Sequence, residues 1–133
     1  EFSTIATLLA RACLMVLLSA WTDTRLLPPG VYLIVASAML AAVAAEMPAD
    51  RLAGHFHDTG GRALDNIAVA LDHGLRVFDA SAGGLGGCPF APGAAGNVAT
   101  GAVNDWLLAR GWTTGLDRAA VGAASALALR LRG

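Results

Sequence analysis

Two histidines one residue apart, in His55-Phe56-His57-Asp58, carry the sharpest chemical signal in the chain. In an extended strand alternate side chains face the same side. The imidazoles of His55 and His57 would then project together, with Cα atoms roughly 6–7 Å apart. Two rings at that spacing can reach one divalent ion, and histidine is the commonest nitrogen ligand. Taken alone, the pair fits a surface coincidence or a hydrogen-bonded core pair at least as well. Asp58 and Thr59 follow at the carboxyl end of the strand, the end at which parallel βα folds bind ligands. Asp58 could orient an imidazole from behind or cap the next helix, and the two roles are compatible.

A second group lies in Gly83-Gly84-Leu85-Gly86-Gly87-Cys88-Pro89-Phe90-Ala91-Pro92-Gly93. So many glycines free the backbone for tight turns and close approach to a ligand. Cys88, in the middle of this run, would become a reactive thiolate beside a metal or cation. Otherwise it is an inert thiol on a flexible loop, and the run alone does not choose. Cys13, inside an apolar run, is expected to be buried and less reactive. Asn97 either turns the chain and caps the following helix or offers its amide oxygen to a hard cation. His73, beside Gly74 at a helix end, reads as structural, since an imidazolium there complements the helix dipole. Arg62, Arg76 and Arg110 are expected to be solvated or paired with nearby acids. Phosphate binding is not indicated, because the chain has no Lys and so no Gly-x-x-x-x-Gly-Lys loop.

The elements that must position these residues are legible in outline. Met39 to Glu46 ends a helix, stopped by Pro48. Leu52 to His57 reads as a strand, and Asp58 to Gly61 as a loop. Leu64, Ile67, Ala68 and Leu71 recur at helical spacing, and Gly74 stands where a helix C′ glycine belongs. Leu75 to Ser81 is a second strand. A glycine-rich loop runs from Gly83 to Gly96. A helix starting near Ala102 carries Val103, Trp106 and Leu107 and ends at Gly111, and Ala119 to Leu131 forms a final apolar helix. Strand and helix alternate, which implies an α/β fold with parallel strands and crossovers. Residues 1–40 differ in character. They are apolar, with one break from Thr22 to Gly30 where Pro28-Pro29-Gly30 marks a turn. The chain therefore divides into a divergent apolar segment, 1–40, and an α/β part, 41–133.

With 133 residues, the chain suffices for one domain with a core. A complete eight-fold βα barrel typically takes about 250. The net charge is −1 and the arginines are scattered, which gives no footprint for nucleic acid. Two cysteines so far apart are not a disulfide framework, and a reducing compartment is the simpler reading. Thr4 to Trp21 is interrupted by Arg11, and Val31 to Ala45 falls short of the ~20 residues of a membrane span. Both runs are expected to be buried core helices, not membrane segments. No basic segment precedes the first apolar run, so a cleaved signal peptide is not expected.

The motifs taken together resemble the 3-hydroxy-3-methylglutaryl-CoA lyase family. His55-Phe56-His57-Asp58-Thr59-Gly60-Gly61-Arg62-Ala63-Leu64-Asp65-Asn66 is similar to that family's strand-seven region. Val77 to Thr100, with Gly-Gly-Cys-Pro and the closing Gly96-Asn97, is similar to its eighth strand and catalytic glycine loop. Gly111-Trp112-Thr113-Thr114-Gly115-Leu116-Asp117 also fits. The likeness covers about residues 40 to 133. It implies about the last three βα units of a TIM-type barrel. It implies a divalent cation, Mg²⁺ or Mn²⁺, held by His55, His57 and Asn97. Cys88 would be the catalytic thiol that closes over substrate and takes part in proton transfer, with His55 assisting. The implied substrate is an acyl-CoA, cleaved to acetyl-CoA and acetoacetate. The implied location is the cytoplasm of a bacterium or the mitochondrial matrix of a eukaryote.

The departures are specific. The family follows its Ala-Thr pair with two acids, where Gly101 and Ala102 stand here. Its amino-terminal strand, with an Arg-Asp pair, has no counterpart in this sequence, and residues 1–40 match poorly. Asp23-Thr24 is at most an echo of the family's sixth strand. A separate polypeptide of this sequence is therefore expected to turn over poorly, and to self-associate through open sheet edges. The rival readings are a sibling aldolase or Claisen-type synthase, which would not need Cys88, and a non-catalytic metal-binding module.

Overall fold

The computed structural model describes residues 29–87 and 95–132. The run Thr4 to Trp21, Asp23-Thr24, Cys13 and Cys88 lie outside them.

Pro29 begins the first helix, α1 (Pro29–Ala44). The Pro29-Gly30 pair therefore lies in a first helical turn, and the rest of the expected turn, through Pro28, lies outside the described residues. Proline suits that place because the N–H it lacks would have no helical partner. The helix continues through residue 40 and ends ahead of Pro48. It was expected to be buried, and this is corrected: Leu40 enters the core, while Val31, Leu33 and Ile34 are exposed. Its sequence, PGVYLIVASAMLAAVA, is apolar all round, but among the described residues it packs chiefly against one later helix, which covers one side of it.

A short 3-10 turn, Ala49–Arg51, leads into β1 (Ala53–His55). The helix α2 (Ala63–Asp72) then returns the chain to β2 (Val77–Asp79). The two strands pair in parallel, with Ala53 opposite Val77, Gly54 opposite Phe78 and His55 opposite Asp79. This is the crossover unit that the alternation of patterns implied. Both strands are shorter than expected, but their ends remain engaged: His57 bridges Asn97, and Ser81 bridges Ala99. The segment 97–99 is thus clamped between the carboxyl ends of β1 and β2.

Burial alternates along β1 and beyond it. Gly54 and Phe56 turn inward, while Ala53 and His55 are exposed and His57 half-buried. The inward face meets Leu40, Ala63, Ile67, Ala70, Leu75, Val98 and Val103, which with Phe56 form one hydrophobic cluster. On α2 the buried positions are Ala63, Asn66, Ile67 and Ala70. Leu64 and Leu71, expected at the centre of that stripe, pack at its margin instead. Small alanines at the centre let the helix lie close to the sheet, and the leucines fill the flanks. The helix closes at Gly74 (φ +89), where Gly74 N–H donates to Leu71 and Leu75 N–H to Ala70.

Beyond the glycine loop come α3 (Thr100–Leu108) and α4 (Arg118–Arg132). Arg118 bridges to Asp105 at 2.8 Å, and Asp117 Oδ1 accepts from Ala120 N–H at 2.7 Å, capping α4. None of the residues of α4 is buried, so the final helix is apolar in sequence without being a core helix. Among the described residues no helix is long and apolar enough to cross a membrane.

Candidate metal centre

The carboxyl ends of β1 and β2 bring three of the sequence-predicted residues together. His55 and His57 do share a face: their ring centroids lie 5.5 Å apart in an edge-on arrangement. Asn97 joins them through the bridge to His57. Val98 N–H donates to Phe56 O at 3.0 Å and Asp58 N–H to Gly96 O at 2.9 Å, so both backbone bonds flank the His57–Asn97 pair without belonging to it. In an antiparallel ladder such a pair has Cα atoms only about 4.5 Å apart, and its side chains lie close.

The amide of Asn97 has a fixed sense. Its Nδ2 donates to Leu85 O at 3.0 Å, and Ser81 Oγ donates to the same carbonyl at 2.7 Å. Oδ1 must then face the other way, and it is buried with no hydrogen-bond partner among the described residues. His57 Nδ1 is likewise buried and unpaired. An unpaired buried polar atom costs about 1–3 kcal/mol. Two such atoms on directly paired residues form a cradle of lone pairs that a cation would satisfy. The residues present fit a hard divalent ion on that ground. Among the described residues no group of three His, Cys, Asp or Glu side chains could hold a metal by itself. The set is two imidazoles and an amide, so further coordination would come from water or substrate oxygens.

The glycine loop starts from a tight seat. Ser81 leads into a 3-10 turn, Ala82–Gly84, and Leu85 and Gly86 follow against Asn97. Gly86 has φ +113, and a Cβ on it would stand 2.6 Å from Asn97 Nδ2. Only glycine fits that backbone angle and that approach. On the other side α4 crosses Gly83, where Leu129 and the Ser125 carbonyl close the space.

Other candidates have structural roles. Asp58 Oδ1 accepts from Ala63 N–H at 3.1 Å, so its carboxylate serves the start of α2. Asn97 does not cap α3, which begins at Thr100 behind Ala99. His73 closes α2 as expected, and its Nε2 lies 2.8 Å from Ser37 Oγ on α1. Arg62 pairs with Asp65 at 3.9 Å. Arg76 and Arg110 are exposed, as the solvated reading expected, and pair with no acid among the described residues. Arg76 donates to the Leu71 and Leu75 carbonyls and lies over Trp112, and Arg110 donates to Trp106 O and lies over its ring. Carbonyls at helix ends and indole faces attract a guanidinium as acids do.

Sequence reasoning missed Asp79. Its Oδ2 lies 3.7 Å from His55 Nδ1, on the exposed face the two residues share. Only the pairing register could have shown this. It also missed Leu85, which acts through its backbone carbonyl and leaves no trace in residue type.

The chain is similar to known proteins. A protein-family model described as HMGL-like matches residues 29–127. The hydroxymethylglutaryl-CoA lyase of Pseudomonas mevalonii is 53% identical over 78 residues, 59% of this chain and 26% of that protein. The chain thus spans about a quarter of that curated relative's length. Other similar proteins bear mitochondrial or cytoplasmic names. The crystal structure of the HMG-CoA lyase of Brucella melitensis superposes with a TM-score of 0.72 at 60% identity, covering 75% of this chain and 35% of that one. An HMG-CoA lyase of Acinetobacter baumannii, solved with coenzyme A and 3-methylmalate, superposes with a TM-score of 0.65 at 38% identity, covering 70% of this chain and 30% of the other.

Proposed function

The chain belongs to the HMGL-like family, and from that premise we propose that it supplies the metal- and thiol-bearing part of an active site that cleaves 3-hydroxy-3-methylglutaryl-CoA to acetyl-CoA and acetoacetate. The observation that carries this reading is the cradle formed by His57 Nδ1 and Asn97 Oδ1, both buried and unpaired beside His55. The name of the Acinetobacter complex, with its coenzyme A, supports an acyl-CoA substrate. The parallel β1–α2–β2 unit fits the carboxyl-terminal units of a TIM-type barrel.

When bound, a Mg²⁺ or Mn²⁺ ion would supply Lewis-acid polarisation of the substrate's hydroxyl and carbonyl oxygens. The chain's own residues do the rest. His55, His57 and Asn97 would hold the ion and so place the substrate at the carboxyl ends of the strands. Ser81 and Leu85 lock the amide of Asn97 so that its oxygen is presented without reorganisation. The tertiary hydroxyl gives up its proton with the assistance of His55. The bond between C2 and C3 then breaks, its electron pair passing to the acetyl thioester as an enolate while C3 becomes the ketone of acetoacetate. Cys88, which follows Gly86 and Gly87 in the sequence, would deliver the proton that the enolate carbon needs.

Self-association is also proposed, since β1 and β2 form only a two-stranded sheet among the described residues and open strand edges invite pairing. A cytoplasmic or mitochondrial-matrix location follows from the same reading and from the names of the relatives.

Calorimetric titration of the chain with Mn²⁺ tests the metal reading. Binding that His57→Ala abolishes is expected, and binding unchanged in that variant would refute it. Release of acetoacetate, lowered about 10²–10⁴-fold by Cys88→Ser, tests the proton-transfer role.

A further inference from the structure

Asp79 stands where the reaction just described has no use for it, yet its position is specific. Parallel register places it directly opposite His55, on the sheet face that turns away from the hydrophobic core. Its Oδ2 lies 3.7 Å from His55 Nδ1, and among the described residues the carboxylate has no other polar partner. The carboxylate is 66% exposed, so a small side-chain rotation closes that gap to hydrogen-bond length. A carboxylate is an acceptor only, so it can hold the imidazole in one tautomer: proton on Nδ1, lone pair on Nε2. That is the arrangement a metal-binding histidine needs, since the nitrogen not bonded to metal commonly donates to a carboxylate or carbonyl. His57 instead turns its own buried Nδ1 into the cradle with Asn97. The two histidines are therefore not equivalent: among the described residues Asp79 stands behind His55 and no acid pairs with His57.

We propose that Asp79 is a positioning residue that fixes the Nδ1–H tautomer of His55 and so turns the Nε2 lone pair of His55 toward the cation. This rests on the metal reading above for its purpose but not for its geometry. With Asp79 removed, the ring is free to take the Nε2–H tautomer, which presents a donor where a lone pair is needed.

The test is nitrogen-15 NMR of the full chain labelled at histidine, in alkaline buffer where imidazoles are neutral, without metal. Ring nitrogen shifts distinguish protonated from unprotonated positions. In the wild type the proton of His55 should sit on Nδ1. In Asp79→Ala it should move to Nε2, and in Asp79→Asn, whose amide oxygen still accepts, it should stay. His73, held by Ser37 on the far side of α2, should keep the same shifts throughout and so report that the variants are folded. Mn²⁺ affinity should fall about tenfold in Asp79→Ala and recover in Asp79→Asn. An unchanged His55 tautomer in Asp79→Ala, or a wild-type proton on Nε2, overturns the proposal whatever the affinity does. A tautomer shift in a chain that binds no Mn²⁺ upholds the link between Asp79 and His55 and defeats the metal reading instead.

Discussion

Gly86 and Asn97 touch so closely that the space between them admits no side chain. A Cβ at Gly86 would stand 2.6 Å from Asn97 Nδ2, and the backbone there has φ +113. The same amide nitrogen must reach Leu85 O. Gly86→Ala would therefore push Asn97 off its anchor and swing Oδ1 away from His57. A methyl group on neighbouring Gly87 would meet nothing within 4 Å among the described residues, and the backbone there is not left-handed, so Gly87→Ala should be tolerated. Isothermal titration with Mn²⁺ is expected to show at least about tenfold weaker binding for Gly86→Ala, in line with losing a group that orients a ligand. Equal affinities for the two variants would mean that Asn97 is not held as described.

The core makes a separate demand. Ile67 is fully buried among Leu40, Phe56 and Val103, whereas Ile34 on α1 is 69% exposed. Ile67→Ala should cost about 2–5 kcal/mol, through lost transfer energy and a cavity. Ile34→Ala should stay within about 0.5 kcal/mol. Urea unfolding followed by circular dichroism compares them. Similar midpoints would show that α2 does not pack on the sheet through Ile67.

How much of this was legible follows from the range of each signal. Period-two alternation put His55 and His57 on one face, and their rings do meet. Helical spacing found α2 but misplaced its inner stripe, because the depth at which alanines or leucines sit depends on what lies opposite. The same limit hid Asp79: nothing local says that residue 79 pairs with residue 55, since parallel register is set by the crossover and the core. Asn97 was legible as a type with two readings, and only the hydrogen bonds to Leu85 decide which way its oxygen points. The arginines are solvated or acid-paired as expected, but the carbonyls and indole faces that Arg76 and Arg110 also meet leave no mark in the sequence.

The link between Ser37 and His73 is the polar tie between α1 and the end of α2. A half-buried hydrogen bond of this kind contributes about 0.5–1.5 kcal/mol. Ser37→Ala should leave global unfolding nearly unchanged but let α1 open more readily, since among the described side chains that helix places one, Leu40, in the core. Amide hydrogen exchange within Pro29–Ala44 should quicken roughly fivefold, the equivalent of about 1 kcal/mol, while α2 keeps its protection. Faster exchange spread evenly over both helices would show that the tie is not local.

Asn97→Asp separates the ligand role of the amide from its anchoring role. The substitution keeps the shape but removes the donor, so a carboxylate oxygen would face the Leu85 carbonyl, to which Ser81 also points. The other oxygen would stay in the buried cradle beside His57 Nδ1. Without metal the variant carries a poorly compensated buried charge, and its stability should drop by about 1–3 kcal/mol. With a divalent ion present the same charge becomes the stronger ligand. Stabilisation by an ion grows as RT ln(1 + [L]/Kd), so saturating Mn²⁺ should raise the thermal midpoint of Asn97→Asp by more than it raises that of the wild type. Adding His57→Ala to Asn97→Asp should remove most of that gain, because the paired lone pair is gone. If Mn²⁺ shifts wild type and Asn97→Asp alike, the oxygen of residue 97 does not meet the ion, and the cradle between His57 and Asn97 is a packing defect, not a site.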